Sequence, residues 1–345
     1  MEINYDNIIA GPCSIESREQ FLTTVDLLDG LGFHNIRGGV WKPRTKPGGF
    51  EGLGEKAFEF VEDMPMNMDF FCEVANKDQL IIALSHGVKG IWIGARTTVD
   101  PFAVQEIADA LSIYKDKNKL TILVKNPVCP DIDLWEGAIT RLINAGIDGK
   151  NIIAIHRGFK TNEITKYRNQ PIWRIPLELK RRLPWIKIYI DPSHIAGDSK
   201  YLEEILDMAF NIYSYDGAII ECHCNPESAW TDAKQQVTPL EMKEILDMIL
   251  AKKKSKTFDE KKLENWRNLI DIIDESILNM LQDRLKISKY IGNYKKENNI
   301  TVFQEGRWNK ILDRLIKLGK ERGLDKEYIE NIWEIIHERS IEEQK

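Results

Sequence analysis

Over roughly its first 250 residues the chain repeats one pattern, a short apolar run followed by an amphipathic stretch. The runs are NIIAGP at Asn7, NIRGGV at Asn35, MDFFCEV at Met68, GIWIGA at Gly90, TILVKN at Thr121, NIIAIHRG at Asn151, KIYIDPS at Lys187 and GAIIECH at Gly217. They read as strands because they are short, rich in β-branched and aromatic residues, and bounded by turn formers. Most are followed by helical spacing, as in REQFLTTVDLLDGLGF, PFAVQEIADALSIYK, DLWEGAITRLINAG and SKYLEEILDMAFNIY. Eight buried parallel strands alternating with helices predict a (β/α)8 TIM barrel, and residues 1–252 match its usual length of about 250 residues. A doubly wound open sheet is the structural alternative; eight repeats favour closure.

After MILAKKKSKTFDEKK the pattern becomes helical throughout. Leu263 to Lys296 reads as one long helix without proline, TVFQEGRWNKILDRLIKLGKERG as a second ended by Gly323, and DKEYIENIWEIIHERSIEEQ as a third. The expected organisation is therefore a barrel over 1–252, a lysine-rich linker over 253–262 and an all-α domain over 263–345. The first helix would be roughly 51 Å long, too long to be covered by two shorter helices of the same chain. Its apolar stripe predicts pairing with a second copy, giving a homodimer through the helical tail or a larger assembly.

Composition narrows the class. A chain of 345 residues, 43% hydrophobic and 30% charged, supplies both a large core and a solvated surface. Its net charge of −6 argues against a nucleic-acid partner. The amino terminus lacks a signal-peptide pattern, and no apolar stretch approaches the ~20 residues that span a bilayer, so the expectation is a cytoplasmic protein without a membrane partner. Five cysteines, an odd number spread through the chain, are expected to be reduced thiols.

The active face of such a barrel lies at the carboxyl ends of its strands, and the chemically unusual residues fall there. Cys13 follows the first strand, His194 the seventh and Glu221 ends the eighth, with Asp232 in its loop. A thiolate, an imidazole and two carboxylates suit a divalent transition metal left open to substrate. Each also has a structural reading: Cys13 as core, His194 as a hydrogen-bonded interior histidine, Asp232 as a turn cap. The neighbouring CHC at Cys222 to Cys224 cannot converge on one ion if the strand is regular, because adjacent side chains point to opposite faces. A second group is cationic: Arg37, Lys42, Arg44, Arg96, Lys125 and Arg157. Several such groups at one face of an acidic protein predict a polyanionic ligand, with arginine forks suited to phosphate and carboxylate. In the tail, Arg267, Arg284 and Lys295 are spaced so that several cations can enter one helical cavity.

The segments AGPCSIE, RGGVWKPRTKPGGFEGLG, IGAR, IDPSH and DGAIIECHCNPESAWTDAKQ, in that order, closely resemble 3-deoxy-D-arabino-heptulosonate 7-phosphate (DAHP) synthase of the type I beta kind. The resemblance implies condensation of phosphoenolpyruvate with erythrose 4-phosphate, releasing phosphate, at the entry to aromatic amino-acid synthesis. It implies that Cys13, His194, Glu221 and Asp232 hold manganese or another divalent metal. It also implies that Arg37, Lys42, Arg96, Lys125 and Arg157 surround phosphoenolpyruvate, and that Arg44 and Thr45 receive the sugar phosphate. A sister enzyme that takes arabinose 5-phosphate is similar, but the KPRT segment favours erythrose 4-phosphate. The sequence departs from the family pattern at His156, where a glutamate is usual, and at VKNPV after the fifth strand.

From Leu263 onward the tail resembles an all-helical chorismate mutase of the AroQ class, most clearly in LENWRNLIDIIDESILNMLQDRLKISKYIGNYKKE. This implies rearrangement of chorismate to prephenate in a pocket of fixed cations and amides, with no nucleophile. Arg267, Arg284, Lys295, Arg307, Ser340 and Gln344 are the implied site residues, Arg267 serving the partner's site. Gln304 and Trp308 stand where many members carry an aspartate and a glutamate. A purely regulatory or assembly role for the tail is the alternative reading. The barrel pattern starts almost at residue 1, so no amino-terminal regulatory domain is expected, and prephenate bound to the tail is the expected feedback signal.

Overall fold

The computed structural model describes residues 5–42, 48–161, 165–254 and 260–345, with the side chains of 252–254, 260–262, 265, 269 and 305 left aside. The chain divides into two compact units, Met1–Lys256 and Thr257–Lys345.

In the first unit eight strands, β1 (Ile8–Gly11), β2 (Asn35–Arg37), β3 (Asp69–Val74), β4 (Gly90–Ile93), β5 (Thr121–Lys125), β6 (Ile152–His156), β7 (Lys187–Ile190) and β8 (Gly217–Glu221), form a closed parallel barrel. Closure is made by β8 against β1, with Gly11 opposite Glu221. Helices α1 (Arg18–Gly30), α2 (Phe58–Val61), α3 (Lys77–Ser85), α4 (Ala95–Thr98), α5 (Pro101–Ser112), α6 (Ile132–Asn144), α7 (Arg174–Arg182), α8 (Pro192–Ala196), α9 (Leu202–Asp207) and α10 (Pro239–Lys254) follow the strands. The open-sheet alternative is thereby excluded. The stretch SKYLEEILDMAFNIY is less regular than its pattern implies: α9 is preceded by a 3-10 turn and continues into a π-helical turn, Met208–Ile212.

Side chains on the strands alternate between two cores. One faces the surrounding helices and includes Ala10, Cys72, Val124, Ala154, Ile190, Ile220 and Cys222. The other fills the barrel and consists of Ile9, Phe71, Trp92, Leu123, Ile153, Ile155, Tyr189 and Ile219. The period of two then dictates what stands one layer higher inside the barrel. Counting two residues on from each plug residue, or from Ile155 on β6, gives Gly11, Glu73, Gly94, Lys125, Arg157, Asp191 and Glu221. An apolar plug therefore carries a polar layer at the carboxyl ends.

Helix starts are fixed by side-chain caps: Ser17 accepts from Gln20 N, Asn76 from Gln79 N, and Asp131 from Asp133 N and Leu134 N. Asp100 caps α5 with Pro101 in its first turn, where a missing N–H costs nothing.

The second unit has three helices, α11 (Glu260–Glu297), α12 (Glu305–Glu321) and α13 (Lys326–Glu343). Gly323, at φ +77°, follows α12 in the left-handed region, and Asp325 caps α13. The expected 253–262 linker is shortened from both sides, since α10 runs to Lys254 and α11 begins at Glu260. The second helix starts at Glu305, four residues after the expected Thr301. Within one chain the stretch 270–280 of α11 is exposed, including Ile272, Ile273, Ile277, Leu278 and Met280.

Gly11 and Gly137 test the packing in opposite directions. A Cβ at Gly11, which sits at φ +149°, would stand 2.1 Å from the Arg37 carbonyl oxygen, whereas one at Gly137 in α6 would meet open space. Gly11→Ala is expected to destabilise the barrel by about 2–5 kcal/mol. Gly137→Ala should stabilise it by about 0.5–1 kcal/mol. Urea unfolding midpoints check both, and an unaffected Gly11→Ala variant would contradict the close β1–β2 approach.

Candidate active sites

The polar layer of the barrel is a set of paired charges. Arg37, on β2, is buried; a terminal nitrogen lies 3.2 Å from Glu221 Oε1 and donates to the Cys13 carbonyl at 3.4 Å. Lys125, ending β5, lies 2.8 Å from Asp191 Oδ2. Both cations flank Trp92, at 4.9 Å and 5.6 Å from its ring. That ring is fixed in turn by its N–H donating to Glu73 Oε2. Gly94 leaves room for this carboxylate, since a Cβ there would meet Glu73 Oε1 at 2.1 Å.

Asp191 organises the seventh strand end. It caps α8 by accepting from His194 N, and its carboxylate also contacts His194 Nδ1 at 2.9 Å. The other imidazole nitrogen, Nε2, is thereby turned toward Glu221, 3.8 Å from Oε1. Glu221 is held from three sides: its N–H donates to Ser193 Oγ, its Oε2 accepts from Gln235, and Arg37 neutralises it. Its Oε1 is buried without a hydrogen-bond donor. Burial would raise the Glu221 pKa, but His194, Arg37 and Lys42 outweigh it and hold it down to about 2.

Cys13 sits above Gly11, its N–H donating to Gln236 Oε1 and its Sγ 3.3 Å from Asp232 Oδ2. Lys42 Nζ completes a triangle, 2.5 Å from Cys13 Sγ and 3.5 Å from Asp232 Oδ2. Burial, then Glu221, push the Cys13 thiol up to about 12 against the pull of Lys42. Burial opposes charge on Lys42 as well, yet its anionic surroundings raise its pKa. Asp232 adopts φ +47°, a left-handed conformation costing a non-glycine residue on the order of 1 kcal/mol. Its carboxylate is met by Arg168 at 3.1 Å; Lys42 and Arg168 hold it well below the usual carboxylate range against burial.

The structure thus brings Cys13, His194, Glu221 and Asp232 to one end of the barrel, joined in the pairs Cys13–Asp232 and His194–Glu221. Among the described residues no three such donors are drawn into a formed metal cluster. Their chemistry nevertheless fits a transition metal. A histidine whose Nδ1 is anchored by a carboxylate presents its Nε2 as a ligand does, and a buried carboxylate oxygen without a donor stands 3.8 Å away. A soft sulfur and a second carboxylate complete the set.

Of the other implied residues, Arg157 is buried and donates to Asn169 Oδ1 at 3.0 Å, while Asn126 accepts from its backbone N–H. Burial lowers the Arg157 pKa to about 10, with Asp191 opposing and the nearby Arg168 and Arg96 reinforcing. Arg96 is exposed in α4. Arg44 and Thr45 lie outside the described residues. Cys222 packs in the outer core, and His223 instead faces Glu16, with Nε2 3.6 Å from Oε2. His156 points outward, away from the polar layer. It bonds the Tyr215 hydroxyl and the Pro171 carbonyl and packs at tilted and edge-on angles among Phe159, Trp173 and Tyr215. The histidine at this position therefore belongs to the strand–helix packing and not to the polar layer. Sequence reasoning missed Glu73 and Asp191, which follow plug residues by two, and Arg168, a loop residue with no periodic signal.

In the helical unit α11 and α13 assemble a smaller cationic site. A terminal nitrogen of Arg284 donates to Ser340 Oγ, and also to the Ile336 carbonyl at 3.3 Å. Lys295 Nζ donates to Gln344 Oε1 at 2.9 Å and to the Val302 carbonyl at 2.7 Å. Gly292 permits this approach, because a Cβ there would lie 2.6 Å from Gln344 Cα. Arg267 does not join them; it is exposed beside Glu264, 17 positions and roughly 26 Å along the helix from Arg284. Arg307 is likewise exposed.

Residues 4–257 match the DAHP synthetase I family. The chain belongs to that family. Residues 266–345 match chorismate mutase type II. The phospho-2-dehydro-3-deoxyheptonate aldolase of Thermotoga maritima is 31% identical over 235 residues, 68% of this chain and 65% of the relative. The chain thus spans slightly less than two thirds of that protein. A crystal structure of phospho-2-dehydro-3-deoxyheptonate aldolase (DAHP synthase) from Thermotoga maritima superposes with a TM-score of 0.62 at 29% identity, covering 70% of this chain and 68% of the other. The bifunctional chorismate mutase/prephenate dehydratase of Buchnera aphidicola subsp. Baizongia pistaciae is 38% identical over 80 residues, 23% of this chain and 22% of the relative.

His156 carries a pH signature. Burial pushes its pKa down to about 3, outweighing the Pro171 hydrogen bond, whereas an unfolded histidine titrates near 6.5. The unfolded chain therefore binds the proton first. The contribution of this residue is full above pH ~6.5 and is lost as pH falls toward ~3, at up to about 1.4 kcal/mol per pH unit. His156→Phe should show a shallower loss of urea stability between about pH 7 and pH 4.5 than the parent; equal slopes would contradict neutral burial.

Proposed function

We propose that this family member condenses phosphoenolpyruvate with erythrose 4-phosphate to give DAHP and phosphate, and that its helical unit converts chorismate to prephenate. The observation carrying the first activity is the charge of the barrel mouth. Six cations, Arg37, Lys42, Arg96, Lys125, Arg157 and Arg168, face four carboxylates, Glu73, Asp191, Glu221 and Asp232. The surplus suits a ligand bearing phosphate and carboxylate.

Arg37, Lys42, Arg96, Lys125 and Arg157 bind the phosphate and carboxylate of phosphoenolpyruvate, and Arg44 and Thr45 hold the sugar phosphate. Cys13, His194, Glu221 and Asp232 hold the divalent metal, which supplies a Lewis acid for the aldehyde carbonyl. C3 of phosphoenolpyruvate bonds to the aldehyde carbon as the C2–C3 and carbonyl π bonds open, water adds at C2, the bond from C2 to the phosphate oxygen breaks, and the two protons of the water end on the former aldehyde oxygen and on the departing phosphate. The buried ion pairs of Arg37 and Lys125 keep these cations in place before substrate arrives, so little reorganisation is needed during reaction.

Rearrangement of chorismate is pericyclic, and a fixed set of donors that stabilises its polarised transition state is sufficient. Arg284 and Ser340, with Lys295 and Gln344, support that reading. Arg307 completes the pocket and Arg267 serves the site of a second copy. The exposed apolar stretch of α11 supports such a homodimer. Prephenate held by the tail inhibits the barrel's reaction as feedback; synthase rates unchanged at saturating prephenate would remove this part of the reading.

Phosphoenolpyruvate consumption by chelator-stripped protein, with erythrose 4-phosphate or arabinose 5-phosphate, tests the barrel directly. Manganese should restore consumption with erythrose 4-phosphate. Preference for arabinose 5-phosphate would assign the sister reaction. Cys13→Ala should lower the metal-restored rate at least about 100-fold, and substantial activity with an unchanged metal response would refute the ligand set. Arg284→Ala should cost the mutase roughly 100-fold while leaving phosphoenolpyruvate consumption intact. Equal chorismate turnover by this variant would refute the helical site.

A further inference from the structure

We infer that His337 is a ligand-contacting residue of the helical site, its Nε2–H donating to an oxygen of the bound dicarboxylic acid while Trp308 supports the ring from below. The inference rests on reading that site as the one that binds chorismate and prephenate.

Position comes first. His337 and Ser340 on α13, and Gln344 capping its end, are spaced i, i+3 and i+7, which places them on one stripe. The latter two meet Arg284 and Lys295 of α11, so His337 continues the same line one turn earlier.

The ring is also held. Trp308 of α12 stacks on it with centroids 4.0 Å apart and planes 11° from parallel, and Phe303 lies 6.1 Å away at a tilt. Stacking fixes the plane of the imidazole and hence the direction of its nitrogens. Its Nε2 is buried and has no hydrogen-bond partner among the described residues. A buried polar nitrogen without a partner is costly unless something completes it.

Charge then selects what completes it. Burial and then Arg284 disfavour protonation, Glu338 opposes them, and Lys295 adds a smaller push in the same direction as Arg284, so the ring is neutral beside two fixed cations. An anionic ligand drawn to Arg284 and Lys295 presents acceptor oxygens. Against such oxygens a neutral imidazole serves as a donor through the tautomer carrying its proton on Nε2.

The full-length protein, with its six histidines labelled with 15N, provides the test. The Nε2–H resonance of His337, assigned by its loss in His337→Phe and confirmed with His337→Gln, is expected to shift when prephenate is added. His337→Phe keeps an aromatic ring against Trp308 and removes the donor. It should keep or raise the parent's urea midpoint in the absence of ligand and retain phosphoenolpyruvate consumption, but lose roughly 10- to 100-fold in kcat/KM for chorismate. His337→Gln, which restores an N–H at similar reach, should recover a substantial part of that loss. Parent-like turnover in His337→Phe, together with an unmoved His337 resonance at saturating prephenate, would overturn the inference. If His337→Phe fails to fold, the parent's own resonance, assigned with His337→Gln, decides. A parent that binds prephenate with the His337 shift yet does not turn over chorismate would sink the mutase reading while supporting the contact. A parent that neither binds prephenate nor turns over chorismate would sink both.

Discussion

Charge buried inside the mouth of the barrel must be neutralised or hydrogen-bonded where it stands, and much of the site follows from that constraint. The plug beneath is apolar, so Arg37 and Lys125 have no water to reach and find Glu221 and Asp191 instead. Buried pairs of this kind add little net stability, but removing one partner leaves an uncompensated charge and costs about 3–5 kcal/mol. Their value is positional. Glu221 fixes Arg37 and faces His194; Asp191 fixes Lys125 and turns the same histidine. One network thus aligns cations suited to an anionic substrate with donors suited to a metal.

The helical unit treats its cations differently. Arg284 and Lys295 are only partly buried and are paired with a hydroxyl, an amide and backbone carbonyls rather than with carboxylates. Their positive charge is therefore left available to a ligand. The two sites divide accordingly. The barrel mouth combines attraction for an anion with a donor set for a metal, whereas the helical site offers fixed donors alone, which suits a rearrangement that needs no nucleophile.

Much of this was legible in the sequence because strands and helices impose periods. The eight apolar runs all appear as strands, and their carboxyl ends carry Lys125, Arg157 and Glu221 as the alternation requires. Cys13 and Asp232 lie in loops where no period applies; their place after the first and eighth strands, and then the resemblance, brought them into the expected ligand set. Asp191 was also within reach of the period of two, as Tyr189 precedes it on the inward face, yet DPSH drew attention to His194 alone. Arg168 was not, because its approach to Asp232 depends on how a loop folds back. Nor was His337, whose significance comes from a ring stacked against it by another helix and from a nitrogen left without a partner. The exact start of α11 was not legible for a simpler reason: lysines solvate a linker and a helix end equally well.

The most direct test of the account is anomalous X-ray scattering from crystals of the full chain soaked in manganese. It predicts one strong peak bonded to Cys13 Sγ, His194 Nε2 and the carboxylates of Glu221 and Asp232, with Lys42 Nζ withdrawn from the thiolate. A peak held by other residues, or Lys42 still against Cys13 with no peak at saturating manganese, would contradict it.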